Sequence, residues 1–327
     1  MNDFSSNIFQ VKPANFETLA LSVFQFQYAH NPIYQSYCKL LNRKPSEVNS
    51  LLDIPFLPIS SFKTHAVKTT DFNEEVVFTS SGTSGQETSK HFVKDLNLYK
   101  KSFKKAFHLN YGNVEDYTVL ALLPSYLERS GSSLIYMVES LIKESNHPQS
   151  GFYLYNHDAL KNTLNTLAKK QEKTLLIGVS FALLDFVESN MVAKNSNLIV
   201  METGGMKGKR KELIREELHQ ILQQSFQTNT IHSEYGMTEL LSQAYSKGEG
   251  EFTTPPWMKI LIRKQDDPFS YCKEGRTGGI NVIDLANIYS CSFIQTDDLG
   301  RRTQNQNFEV LGRFDQSEIR GCNLLSL

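Results

Sequence analysis

The chain has 327 residues, 40 % hydrophobic and 11 % aromatic, with 34 basic against 35 acidic side chains. A net charge of −1 excludes a sequence-independent nucleic-acid binder, which needs a basic excess, and this much apolar surface excludes general disorder. One small phosphate-bearing ligand stays open, because a few backbone N–H groups suffice to hold it.

No apolar run approaches the roughly 18 residues of a spanning helix, so no membrane span is expected. The start, MNDFSSNIFQVKPANF, lacks the basic and apolar regions of a secretory signal. Cys38, Cys272, Cys291 and Cys322 are far apart, without a C-x-x-C pair, and no H-E-x-x-H occurs. That pattern fits a reducing, cytoplasmic setting better than a disulfide or zinc scaffold.

In chain order, residues 1–60 read as helical, with Phe16, Leu19, Ala20, Val23 and Phe24 at helical spacing. Pro55 and Pro58 then enforce an extended loop. Glu75–Thr79 suits a strand, Asp95–Leu109 a helix with Tyr99, Phe103 and Phe107 on one side, Tyr117–Leu123 a buried strand and Ser132–Ile142 a helix. Helix at Asn156–Lys170, strand at Thr174–Val179, helix at Ala182–Ser189 and strand at Leu198–Met201 continue the alternation. Lys209–Phe226 gives the clearest helix, with Leu213, Ile214, Leu218, Ile221 and Leu222 as its stripe. Such alternation predicts an α/β fold with helices flanking the sheet. Past Ile231 strands dominate, at Lys259–Arg263, Gly279–Asp284, Ser292–Gln295 and Phe308–Gly312. The expected division is therefore 1–230, α/β subdomains with a phosphate-binding loop, and 231–327, a β-rich subdomain with a short C-terminal tail.

Four segments carry chemistry. Thr79, Ser80, Ser81, Gly82, Thr83, Ser84, Gly85 and Gln86 follow a strand and can wrap phosphate oxygens with N–H and O–H donors. The spacing is not that of a Walker A loop, since five residues past Gly82 stands Glu87 where the second glycine would be, and a plain loop uses the same residues. Gly204 and Gly205, in Glu202–Gly208, let a flat ring approach the backbone, or simply turn the chain into a helix. Tyr235-Gly236-Met237-Thr238-Glu239 supplies an aromatic face, a hydroxyl and a carboxylate within five residues, the parts needed to stack a base, hold a phosphate and bind Mg²⁺. Thr296-Asp297-Asp298-Leu299-Gly300, with Gly312-Arg313-Phe314-Asp315 after it, offers a carboxylate for ribose hydroxyls and an arginine for sugar or phosphate. Alone, Asp-Asp-Leu-Gly reads as a turn.

In this order the segments resemble those of the adenylate-forming superfamily of acyl-CoA synthetases, luciferases and peptide-synthetase adenylation domains. The resemblance runs from about residue 79 to 321. Leu122–Met137, Glu202–His219 and Gly312–Leu325 resemble its acyl-protein synthetase branch, the LuxE-type long-chain fatty acid ligases of bacterial fatty acid reductase complexes. The resemblance implies the adenylate-forming N-terminal-domain fold, without the C-terminal lid of classical members. It implies ATP and Mg²⁺ as cofactors, a fatty or other carboxylic acid as substrate, and an acyl-accepting protein partner such as a reductase. Thr79–Gln86 would hold the β,γ-phosphates, Gly204, Gly205 and Tyr235 adenine, Thr238 the α-phosphate and Glu239 the metal. Asp298 would bind the ribose with Arg313 beside it, and Cys322 would accept the acyl group. Two departures stand out: the usual loop lysine is replaced by Gln86-Glu87 with Lys90 further on, and the usual Thr-Gly-Asp is Thr296-Asp297-Asp298.

Two other readings compete. Gly178-Val179-Ser180-Phe181-Ala182 approximates the G-x-S-x-G elbow of a serine hydrolase with Ser180 as nucleophile, although its last position is alanine and a helix N-cap explains Ser180 as well. The other is a non-catalytic scaffold that binds a nucleotide or acyl-adenylate.

Overall fold

The computed structural model describes residues 4–80, 88–123, 131–204 and 213–314. They form two compact units. The first holds the described residues of 1–102, 238–242 and 253–327, the second those of 103–237 and 243–252.

The first unit begins with helices Phe16–His30 and Pro32–Leu40, as the periodicity predicts. Asn31 joins them: its side chain accepts from Tyr34 N, and Pro32 takes the first helical position, where a missing N–H costs nothing. The predicted extended stretch contains β1 (Leu57–Pro58). β2 (Val76–Thr79) and β3 (Lys90–Val93) then form an antiparallel hairpin in which Thr79 faces Lys90. The helix Leu96–Tyr111 follows, its residues from Phe103 on counted in the second unit, and buries Tyr99, Phe103 and Phe107.

The second unit is built on a parallel sheet. β4 (Thr118–Leu122), β5 (Gly151–Phe152), β6 (Thr174–Gly178), β7 (Leu198–Thr203) and β8 (His232–Tyr235) stand in the order β5-β4-β6-β7-β8. TVLAL and TLLIG are buried throughout, as strands covered on both faces must be. Parallel neighbours need crossovers, and the helices Ser133–Ser145, His157–Lys170 and Ser180–Ser189 lie in them. The last helix starts at Arg215, later than predicted: Ile214 is an exposed cap in extended conformation, and residues 209–212 lie outside the described residues. Its buried stripe is Leu218, Leu222 and Phe226, with His219 beside it. β9 (Ala244–Ser246) pairs antiparallel to β8, and β10 (Glu251–Thr253) follows it.

The first unit ends in an antiparallel ladder of β11 (Met258–Arg263), β12 (Gly278–Asp284), β13 (Phe293–Arg302) and β14 (Phe308–Arg313), with β1 parallel on β13. The sequence predicts a strand end at Gln295 and a turn at Asp-Asp-Leu-Gly. Instead β13 continues to Arg302, ten residues in all, because β14 pairs with it from Asp298 to Arg302. The register shifts at Leu299/Gly300, so the corner is a bulge inside a strand. Among the described residues no helix is long and apolar enough to cross a membrane.

Candidate functional site

In the second unit, Gly204 and Tyr235 stand at the ends of adjacent parallel strands, the edge where open α/β sheets bind ligands. Gly204 is exposed and has φ +70°, a left-handed conformation that favours glycine. Its carbonyl accepts from Ser180 Oγ at 2.8 Å. Ser180 Oγ also lies 3.1 Å from Glu202 Oε2. Ser180 is the first residue of its helix, the cap position being Val179, so the expected N-cap is displaced by one. Its hydroxyl thus clasps a carboxylate and a carbonyl at the end of β7 to the start of the helix. Gly205 lies outside the described residues.

Two buried carboxylates underlie this edge. Burial opposes the charge on Glu202, but His219, Ser233 and Arg215 outweigh it and hold the carboxyl below its usual range. His219 Nε2 stands 3.8 Å from Glu202 Oε1, an ion-pair distance. Glu234, on the neighbouring strand, accepts from Thr203 Oγ1. Burial pushes its pKa up to about 7, with Glu202 adding to the rise and Thr203 opposing it. Tyr235 is 8 % exposed, and its ring packs against that of Phe252 in a T-shaped pair, centroids 6.0 Å apart.

The Tyr-Gly-x-Thr-Glu motif is shared between the units: Tyr235, Gly236 and Met237 belong to the second, Thr238 and Glu239 to the first. There the Thr238 carbonyl lies 2.8 Å from His91 Nδ1. A carbonyl only accepts, so Nδ1 carries the proton. Burial pushes the His91 pKa down to about 4, keeping the ring neutral. His91 sits on β3, beside the stem of the hydroxyl loop. At that stem Ser80 N donates to Ser89 O and Ser80 Oγ accepts from Ser89 N at 2.9 Å. Thr79 ends β2, while Ser81, Gly82, Thr83, Ser84 and Gly85 lie outside the described residues. Glu239 is 5 % exposed, and its carbonyl accepts from Asn287 Nδ2 at 2.7 Å. Just beyond it, Ser242 takes part in a buried chain: Trp257 Nε1 and the Ser102 and Ser242 hydroxyls lie 3.0 Å apart, and Ser242 Oγ donates to Asp284 Oδ1 at 2.6 Å.

Asp298 and Arg313 face each other across β13 and β14. Asp298 N donates to Thr296 Oγ1 at 3.2 Å. Arg313 Nη2 reaches Asp297 Oδ2 at 3.4 Å, which gives the additional carboxylate a positive neighbour. Behind this corner the buried Arg263 donates to Ile280 O, Asn281 Oδ1 and Thr296 O at 2.8–2.9 Å. Cys322 lies outside the described residues. Sequence reasoning missed His91, Arg263, Asp284 and Asn287. Each acts from a strand or turn remote in sequence from the segment it holds, so only the fold reveals it. Among the described residues, no group of three or more His, Cys, Asp or Glu side chains is arranged to hold a metal.

The sequence pattern of the family described as Acyl-protein synthetase, LuxE, matches residues 8–119 and 133–326. The chain belongs to this family. Comparison with curated protein sequences gave no match. Among solved structures, this LuxE-family chain is similar to an open conformation of 2-hydroxyisobutyryl-CoA ligase in complex with 2-HIB-AMP and CoA. That likeness has a TM-score of 0.68 at 14 % identity and covers 97 % of this chain and 76 % of the ligase. It is also similar to ATP-bound MatB from Rhodopseudomonas palustris, with a TM-score of 0.54 at 16 % identity over 74 % of this chain and 49 % of MatB. An ATP-bound RpMatB-BxBclM chimera gives 0.55 at 16 % identity, over 75 % and 49 %. The chain thus spans about half the length of the MatB structures it matches. At these identities the likeness establishes the fold, that of the adenylate-forming ligases.

Proposed function

We propose that this protein activates a carboxylic acid, a long-chain fatty acid by family, with ATP and then passes the acyl group to a protein thiol. Membership of the acyl-protein synthetase family over residues 8–119 and 133–326 carries the reading. Solved structures of the same fold, MatB with ATP and 2-hydroxyisobutyryl-CoA ligase with 2-HIB-AMP and CoA, support the nucleotide part.

In the first step a carboxylate oxygen attacks the α-phosphorus of ATP, a P–O bond forms, the bond to the β-phosphate bridge breaks, and pyrophosphate leaves. Charge develops on the departing phosphates, so catalysis is a matter of fixed donors and cations. In this reading the loop from Thr79 to Gln86 supplies N–H and O–H donors, and Thr238 reaches the α-phosphate. Gly204 and Gly205 give adenine bare backbone to lie against, with Tyr235 on its other side. Asp298 accepts the ribose hydroxyls, with Arg313 beside it. Glu239 fits a Mg²⁺ role by chemistry: it is a hard oxygen donor on a backbone pinned through its own carbonyl. Bound there, Mg²⁺ would neutralise phosphate charge.

In the second step a thiolate attacks the acyl carbon, a C–S bond forms and AMP leaves, the thiol proton passing to solvent. Cys322 is the proposed acceptor and a reductase-type protein the onward partner. The test is ATP–pyrophosphate exchange against a panel of acids. Exchange that depends on a long-chain acid is the expected result. Its absence with every acid, in protein shown to be folded, removes the reading in favour of a binding scaffold. Acid-independent hydrolysis of esters would point to Ser180 instead.

A further inference from the structure

The turn that follows β12 grips the segment carrying Glu239 from two sides. Asp284, fully buried, accepts from Leu241 N at 2.9 Å, Ser242 N at 3.0 Å and Ser242 Oγ at 2.6 Å. It also accepts from Ala286 N at 3.0 Å and so caps its own turn, Leu285–Asn287. Three residues on, Asn287 donates from Nδ2 to the Glu239 carbonyl at 2.7 Å. One short turn thus fixes a carbonyl and two amides within four consecutive residues. Four donors on one buried carboxylate make a rigid unit, because releasing any of them leaves a buried polar group unpaired. None of these contacts involves the Glu239 carboxylate, so the grip acts on the backbone beneath it.

We propose that Asp284 and Asn287 are positioning residues that set the direction of the Glu239 carboxylate toward magnesium-bound ATP. The inference rests on the functional reading above. A residue holding backbone near a metal ligand changes the metal requirement more than the binding of a remote substrate. A residue that only supports the fold lowers stability and leaves both unchanged in the folded fraction.

Wild-type protein is therefore titrated with MgATP by calorimetry and assayed for acid-dependent pyrophosphate exchange across Mg²⁺ concentrations. Asn287→Ala and Asp284→Asn are expected to bind MgATP roughly fivefold or more weakly, and to need a similar excess of Mg²⁺ for half-maximal exchange. KM for the acid should stay within about twofold. Wild-type affinity and Mg²⁺ midpoint in both folded variants overturn the proposal. If Asp284→Asn yields no folded protein, Asn287→Ala decides by the same criterion. Failure of the wild type itself to bind MgATP or exchange pyrophosphate strikes the functional reading, and the proposal falls with it.

Discussion

Glu239 illustrates how little of a residue's role lies in its own side chain. Its carboxylate belongs to a motif, but its carbonyl is held by Asn287 and the preceding carbonyl by His91. Replacing it by glutamine keeps shape and bonds yet removes the charge. Glu239→Gln should then lower pyrophosphate exchange by about 100-fold or more, a loss of several kcal/mol of charge stabilisation, with little change in melting temperature. Near wild-type exchange in this variant would end the metal assignment; a large fall in stability with exchange intact would mean a structural carboxylate. Ser180 shows the reverse case. A nucleophile elbow is suggested by sequence, and the fold turns its hydroxyl toward Glu202 and Gly204 O.

At the scale of elements, strands and helices with strong periodicity were legible: the helix over 96–111, the buried strands TVLAL and TLLIG, and their alternation. Two failures have physical causes. Leu213 and Ile214 suit a helix stripe, but the chain enters the helix only at Arg215, leaving Ile214 exposed. Asp297-Asp298 looks like a turn because short-range propensity favours it, whereas pairing with β14 draws it into a strand. The candidate motifs were legible because their chemistry is local; the residues that hold them were not, because Asp284 and Arg263 reach them through tertiary contacts. Gly279 depends on one of these: a Cβ there would sit 2.3 Å from the Arg263 guanidinium carbon. Gly279→Ala should cost about 1–3 kcal/mol in chemical denaturation. In an Arg263→Ala background the same change should cost much less, and an equal cost would show that the collision is not the cause.

Glu234 belongs to the same scale, since it joins β8 to β7 through Thr203. Its folded pKa, about 7, lies above the ordinary value of 4.5, burial being the main cause. The folded state therefore holds a proton that the unfolded chain releases. Stability from this group is full below pH 4.5 and is lost as pH rises through about 7. Glu234→Gln should remove that decline, so the difference between variant and wild type in denaturant unfolding should shift in the variant's favour from pH 5 to pH 8. A difference independent of pH would show that Glu234 is ionised in the folded protein.

Over the whole molecule, the proposed acyl transfer comes down to which thiol is available. The sequence holds four cysteines. Cys38 and Cys291 are fully buried, and burial raises both thiols, Cys38 to about 12, so neither forms a thiolate near neutral pH. Cys272 is partly exposed, with Sγ 3.7 Å from the Thr277 carbonyl. Cys322 lies in Arg320-Gly321-Cys322-Asn323, in the stretch where the family resemblance implies an acylated cysteine. A thiolate attacks an acyl-adenylate readily, and the thioester stays reactive for onward transfer. Cys322→Ser should therefore keep acid-dependent pyrophosphate exchange at the wild-type rate while the protein no longer takes up labelled fatty acid in a hydroxylamine-labile bond. Cys272→Ser should leave labelling unchanged. Label that persists on Cys322→Ser and disappears on Cys272→Ser would move the acceptor to the ladder of the first unit, where Cys272 pairs its backbone with Ile262.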